Sequence, residues 1–260
     1  MNGVWIVMPA LNSAATLAAT VADIPARFRH QVLLVDDGSR DRTVAEARTL
    51  GLEVVSHPRN RGYGAAQKTG FQEVLARGAD LVVLLHSDFQ YDAAALPALV
   101  APILEGRADA VLGSRLLAGD PRAHGMPWWR YRGNRLLTGC ENRTLGLNLS
   151  DYHTGLRAYA RNYLTTIRFL RNSDGFLFDQ QILVQGASAG MRILEVPARC
   201  RYTHVTSSIS FPGAVRYGLG TLGLLAEYRR FIRQGRPPHA RLAPTHERQR
   251  PDESTRAGTA

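Results

Sequence analysis

A chain of 260 residues is long enough for one large α/β domain, and its 45% hydrophobic content is that of an ordinary globular protein rather than a membrane or fibrous one. The formal net charge of +10 is carried almost wholly by arginine, Lys68 being the only lysine, and arginine's two-pronged donor geometry suits phosphates and anionic head groups. No run of about 18 apolar residues offers a membrane span, and the eight histidines contain no HExxH-type pair, which excludes a catalytic zinc site of that kind.

In chain order, Val4–Met8 is the first apolar run and predicts a strand rather than the basic region and long apolar core of a secretion signal. Ser13–Phe28 has helical spacing, broken at Pro25. Gln31–Val35 predicts a second strand ending in Asp36-Asp37-Gly38-Ser39, and Asp41 then caps a helix through Thr43-Val44-Ala45. Glu53–Val55, Leu81–Leu85 and Asp109–Leu112 predict strands, with helices over Gly62–Arg77 and Ala93–Glu105 between them. Alternating units of this kind predict an α/β class with a mostly parallel central sheet, flanked by helices on both faces. Further on, Trp128–Leu145 and Phe178–Ala189 have helical spacing, Arg192–Val196 predicts a strand, and Ala214–Arg233 an amphipathic helix. A single domain is expected over residues 1–235. Residues 236–260 predict a disordered basic tail, with five arginines against three acidic residues. The two cysteines show no metal-type spacing and predict a reduced, cytoplasmic setting.

The polar clusters follow the strands. Leu81–Leu85 reads as a strand buried on both faces, so His86-Ser87-Asp88-Phe89-Gln90 lies at its carboxyl end, where open α/β sheets bind ligands. Asp88 and Gln90, two apart on an extended segment, point the same way and offer hard oxygens to a divalent cation shared with a diphosphate. Capping of the next helix by Asp88 is the alternative. Asp36 and Asp37 are expected to face the same crevice, accepting from the ring N–H of a base or a ribose hydroxyl, with turn chemistry as the alternative. Arg61–Thr69 nearly fits a P-loop, but Gln67 stands where the second glycine must be, and the segment does not follow the first strand as a dinucleotide fingerprint does. Gly64 instead marks a helix start close to a ligand, or simple helix initiation. Asp179 reads as a cleft-facing general base or as a cap. Arg115, Arg132, Arg135 and Arg157 each follow a Gly-rich or aromatic stretch; as a set they predict a basic pocket for a phosphate-bearing partner, while any one alone reads as a surface arginine. Charge without interleaved aromatics or a motif gives no case for nucleic acid.

Taken together, Met8-Pro9-Ala10-Leu11-Asn12, Val35-Asp36-Asp37-Gly38-Ser39, Asn60-Arg61-Gly62-Tyr63-Gly64, His86-Ser87-Asp88-Phe89-Gln90-Tyr91, Gly113-Ser114-Arg115 and Asp151–Tyr159 resemble the family 2 glycosyltransferases of the GT-A fold. The resemblance is nearest to the polyprenyl- or dolichyl-phosphate sugar transferases and covers about residues 3–205. It implies a nucleotide-diphosphate sugar donor bound in the half over about residues 1–115, and an acceptor half over about 116–235. Pro9, Ala10, Asp36 and Asp37 would surround the base and ribose, with Asn12 among the substrate contacts. Asp88 and Gln90 would hold Mg²⁺ or Mn²⁺ on the diphosphate. Arg115, Arg132 and Arg157 would face the acceptor or the phosphates. Asp179 matches the acidic position that serves as base toward hydroxyl acceptors, which makes Asp88, Asp179 and Arg115 the catalytic candidates.

Two positions depart from the family pattern. The metal string usually has acids at both ends; here the first is His86, a further candidate ligand whose imidazole suits Mn²⁺ better than Mg²⁺. The usual Asn-Glu after the first strand is Asn12-Ser13. The implied reaction is inverting transfer by in-line displacement to a polyprenyl phosphate, or to a hydroxyl that would need Asp179. Arg216, Arg229, Arg230 and Arg233 on the last helix predict peripheral contact with an anionic membrane at its inner face, a helix simply packed on the core being the alternative. A nucleotidyltransferase and a non-catalytic nucleotide-sugar-binding module stay open as rivals. The first of these usually carries a glycine-rich, Lys/Arg-bearing loop where this chain has Ala10-Leu11-Asn12-Ser13.

Overall fold

Residues of the first strand, β1 (Val4–Ala10), alternate between two separate cores. Val4, Ile6, Met8 and Ala10 enter one core, while Trp5 and Val7 enter the other. That alternation is what a strand covered on both faces requires. The computed structural model describes residues 3–202 and 211–234, so the expected tail over 236–260 lies outside the described residues.

After β1 come α1 (Ala14–Asp23), β2 (Val32–Asp36), α2 (Thr43–Thr49), β3 (Glu53–Ser56), α3 (Tyr63–Ala76), β4 (Leu81–Leu84), α4 (Leu96–Leu104), β5 (Ala110–Ser114) and α5 (Trp128–Leu145). The chain continues through β6 (Arg157–Ala160), α6 (Arg161–Thr166), α7 (Phe178–Ser188), β7 (Ile193–Pro197) and α8 (Phe211–Arg233). The seven strands form one sheet in the order β3-β2-β1-β4-β6-β5-β7. Helices α1, α2 and α4 contribute Leu17, Ala47 and Leu99 to the core on one face. Helices α3, α6 and α7 contribute Phe71, Tyr163 and Ile182 to the core on the other. A third, smaller cluster joins Val184 of α7 to Leu224 and Leu225 of α8. The mostly parallel sheet with helices on both faces is therefore as expected.

One strand was not anticipated. β6 runs antiparallel between β4 and β5, setting Arg157 opposite both Leu84 and Leu112. Its four residues, Arg-Ala-Tyr-Ala, carry no aliphatic run, and an arginine that is 0% exposed in a central strand defeats any reading by hydropathy. Because β6 runs against its neighbours, the loop that leads into it lies at the carboxyl ends of β4 and β5. That edge also carries the loops after β1 and β2.

Candidate active site

Period-two alternation separates the two adjacent acids at the end of β2. Asp36 lines a cavity of about 530 Å³ together with Asn12, Gly38, Arg40, His57 and Asn60. Asp37 turns into the protein instead. Its carboxylate accepts from the backbone N–H groups of Arg61 (2.9 Å) and Gly62 (2.8 Å) and from Nδ1 of His57 (2.7 Å). A carboxylate only accepts, so Nδ1 of His57 carries a proton, and Nε2 is hydrogen-bonded to the Thr69 hydroxyl at 2.9 Å. Asp37 thus satisfies donors just ahead of α3, and the expectation that it joins Asp36 and Asp88 in one crevice is corrected. Pro9 and Ala10 are buried in β1 behind the cavity, where the Pro9 carbonyl accepts from Ser87 and the Ala10 carbonyl from the Asp37 N–H; Leu11 and Asn12 are the residues that reach the cavity wall.

Gly64 has a different neighbour from the one expected. Its N–H donates to the Asp174 carbonyl at 2.7 Å, and a Cβ there would lie 2.5 Å from the Ser173 oxygen. The close approach that demands glycine is therefore made by the chain's own 173–175 backbone.

Among the described residues, only Asn12 (φ 52°) and Phe89 (φ 58°) hold positive φ without being glycine, and both stand in loops of this edge. Asn12 is fixed by accepting from the Arg40 N–H and donating its own N–H to Ser39 Oγ. Phe89 is fixed by the flanking turn, in which the Gln90 N–H donates to Asp88 Oδ1 at 3.1 Å. Asp88 and Gln90 are both buried. Strand β4 pairs with β1, which pairs with β2, so the Asp88 loop starts two strand spacings, roughly 10 Å, from Asp36.

As a donor set, Asp88 and Gln90 are one carboxylate and one amide oxygen. Among the described residues no group of three His, Cys, Asp or Glu side chains clusters as a metal site. Such a pair suits a hard cation that draws its remaining oxygens from a diphosphate. His86 does not complete it in the expected way, because its Nε2 is engaged at 2.7 Å with the Tyr63 hydroxyl and its ring lies against Gly155.

Tyr63 in turn donates to Asp179 Oδ2 at 3.1 Å. Burial, and then the charge of Asp179, push the Tyr63 phenol well above its ordinary value, so it keeps its proton for that carboxylate. The Tyr63 oxygen then accepts from His86 Nε2–H. Gln67, one helical turn beyond Tyr63, donates to Asp179 Oδ1 at 2.9 Å. Sequence reading missed both residues, although their i, i+4 spacing at the start of α3 places them on one face.

Asp179 and Gln90 line a second cavity, of about 440 Å³, at whose polar end lie His86, Arg115, Arg157 and Tyr217. Trp129, Leu137, Phe176, Phe211, Val215 and Leu219 form much of the rest of its wall. Two of the arginines proposed to meet substrate are committed internally. Arg115 forks onto Asp151 (Nε to Oδ2 2.7 Å, NH2 to Oδ1 2.9 Å) and also donates to Tyr202 and the His153 carbonyl, which uses four of its five donors. Burial alone would raise the Asp151 carboxyl, yet Arg115 and Asn134 hold it well below the usual range. Arg157 donates to the carbonyls of Thr154, Asp179 and Tyr152 at 2.7–3.0 Å, with Asp179 Oδ2 3.6 Å away. Both therefore shape the 151–157 loop and the start of α7. Arg132 is exposed on α5 and outside the cavity wall, to which α5 instead sends Arg130 and Asn134. Arg135 lines a separate groove.

Known proteins resemble this chain in both sequence and fold. The dolichyl-phosphate hexose transferase of Haloferax volcanii is 32% identical over 194 residues, covering 74% of this chain and 80% of that protein. The polyprenol monophosphomannose synthase of Mycolicibacterium smegmatis is 29% identical over 204 residues, covering 74% and 75%. Among solved structures, glucosyl-3-phosphoglycerate synthase from Mycobacterium tuberculosis in complex with UDP superposes at a TM-score of 0.64 and 22% identity, over 86% of this chain and 80% of that one. The same synthase with Mn²⁺, UDP and glucosyl-3-phosphoglycerate gives 0.59 at 21% identity, over 90% and 80%. These structural likenesses establish the GT-A fold. The sequence model of glycosyl transferase family 2 matches residues 5–168, a stretch that runs through every strand from β1 to β6 and the loops they carry. The chain accordingly belongs to glycosyl transferase family 2 and is a glycosyltransferase, which sets aside the nucleotidyltransferase and non-catalytic readings.

Proposed function

We propose that this glycosyltransferase moves a sugar from a nucleoside-diphosphate sugar to a polyprenyl phosphate, with inversion at the anomeric carbon. The observation that carries the acceptor is the second cavity, with Asp179 and Gln90 at one end and an aromatic and aliphatic wall over much of the rest. An apolar wall of that kind suits an isoprenoid chain better than a small hydrophilic acceptor. Residues 1–115 form the donor half in this reading and 116–235 the acceptor half, with base and ribose lying against Asp36, Leu11 and Asn12.

Asp88 and Gln90 would hold Mg²⁺ or Mn²⁺, whose charge would offset that developing on the departing diphosphate. An acceptor phosphate oxygen forms the bond to the anomeric carbon as the bond to the donor's β-phosphate oxygen breaks, releasing the nucleoside diphosphate. No proton has to leave an ionised phosphate. Asp179 therefore acts by holding Tyr63, Gln67 and Arg157 in place. Asp179→Asn is expected to retain activity toward a lipid phosphate within about tenfold, whereas loss of a general base from a hydroxyl-directed reaction costs about 10²–10⁴-fold. Initial rates with the two acceptor types separate the cases.

The direct test incubates the protein with a short polyprenyl phosphate, a panel of nucleotide sugars, and Mn²⁺ or Mg²⁺. Formation of a glycosyl phospholipid is expected with at least one donor. Transfer to hydroxyl acceptors alone would remove the lipid assignment. Apolar residues exposed along α5 and α8, among them Trp128, Phe211 and Leu219, support peripheral contact with a membrane surface, which this reading takes to be the anionic inner face.

A further inference from the structure

A groove of about 790 Å³ runs between α5 and α8. Arg135 and Arg143 reach it from α5, and Arg229, Arg230 and Arg233 from α8; all five are exposed. No acidic residue lines the groove, and among the described residues none of the five arginines forms an ion pair. Like charges gathered around one hollow repel each other, so an anion seated there relieves the repulsion.

Between the arginines the groove is lined by Leu136, Leu222 and Leu225, and Leu136 and Leu222 also line the acceptor cavity, so the two hollows share a wall. Leu136 is 69% exposed, as is Trp128 at the start of the same helix. A soluble anion would account for the arginines but leave this apolar rim in water. A phosphate that carries hydrocarbon accounts for both.

We infer that the α5–α8 groove binds the headgroup of an anionic phospholipid at the bilayer surface, and so seats the mouth of the acceptor cavity against the membrane. This rests on the lipid-acceptor reading but concerns a separate site. Each arginine at an anionic surface is worth about fivefold in membrane affinity.

The triple variant Arg135→Gln, Arg143→Gln, Arg229→Gln is therefore expected to bind vesicles of phosphatidylglycerol and phosphatidylcholine about 100-fold more weakly than the wild type. A control triple with the same change of charge, Arg27→Gln, Arg42→Gln, Arg48→Gln, should bind within a few-fold of wild type, because those exposed residues lie in the donor half. Equal loss in the two triples, or loss in neither, overturns the inference.

A second readout needs no variant. Cys140 lines the groove while Cys200 is buried, so a maleimide reports on the groove. Anionic vesicles should slow alkylation of Cys140 at least tenfold and phosphatidylcholine vesicles should not. Protection by millimolar inorganic phosphate as strong as that by vesicles would make the groove a soluble-anion site and overturn the inference. Glycosyl transfer to detergent-dispersed polyprenyl phosphate should be unchanged in the groove triple. Failure of that transfer in the wild type would count against the proposed reaction and leave the vesicle result standing.

Discussion

Asp88→Asn is expected to lower kcat/KM about 10³-fold while leaving the fold in place. Asparagine keeps an oxygen to accept the Gln90 N–H, and with it the turn that holds Phe89 at φ 58°. It removes only the charge. Asp88 is the one carboxylate of the 86–91 loop, and with Nε2 of His86 engaged by Tyr63 that loop has no second charged donor to compensate. Loss of charge stabilisation at a departing diphosphate is the kind of change that costs about 10²–10³-fold or more in enzymes that depend on it. Donor-dependent thermal stabilisation by a nucleotide sugar with Mn²⁺ should disappear in parallel, with the melting temperature of the free protein unchanged. Retention of activity within tenfold would take Asp88 out of the chemistry.

Asp151→Asn should be the most damaging single change to stability. It leaves the Arg115 guanidinium buried against a neutral amide, a loss of about 3–5 kcal/mol for a buried pair broken on one side. In a domain of this size that corresponds to a fall in melting temperature of the order of 10 °C. Its pH dependence has a definite sign. The Asp151 carboxyl is held below its unfolded value, so its contribution is complete above about pH 4, the unperturbed aspartate range, and is lost as acid protonates it. Wild type and variant should therefore converge in stability toward low pH. The double change Asp151→Asn with Arg115→Met should recover part of the loss, since it removes the stranded charge. A melting temperature for Asp151→Asn within 2 °C of wild type at pH 7 would contradict the assignment.

Strands β1, β2, β4 and β5 were legible because they are apolar runs buried along their whole length, and turn acids mark the carboxyl ends of β2 and β4. Residues whose role depends on partners distant in sequence were harder to read. Asp36 and Asp37 look equivalent as neighbours, yet alternation sends one to a cavity and the other to the turn ahead of α3. Arg115 and Arg157 read as ligands for phosphate, but their anion and carbonyl partners arise from Asp151, Tyr152, Thr154 and Asp179, and only folding brings these to them. Arg132 failed for a simpler reason: on α5 the helical period carries its neighbours Gly133 and Asn134 to the cavity and leaves it in solvent. The His86–Tyr63–Asp179 chain joins three segments and could not be found from any one of them.

The reversal of β6 has one more consequence. Leu112 and Arg157 face each other across a strand pair, so the chain that leaves β5 returns to within about 5 Å of where it departed. The whole excursion between them, including α5, is tethered at neighbouring points, and closing a loop of almost any length there costs little more than closing a short one. Such a stretch can vary in length at little entropic cost to the sheet that anchors its two ends.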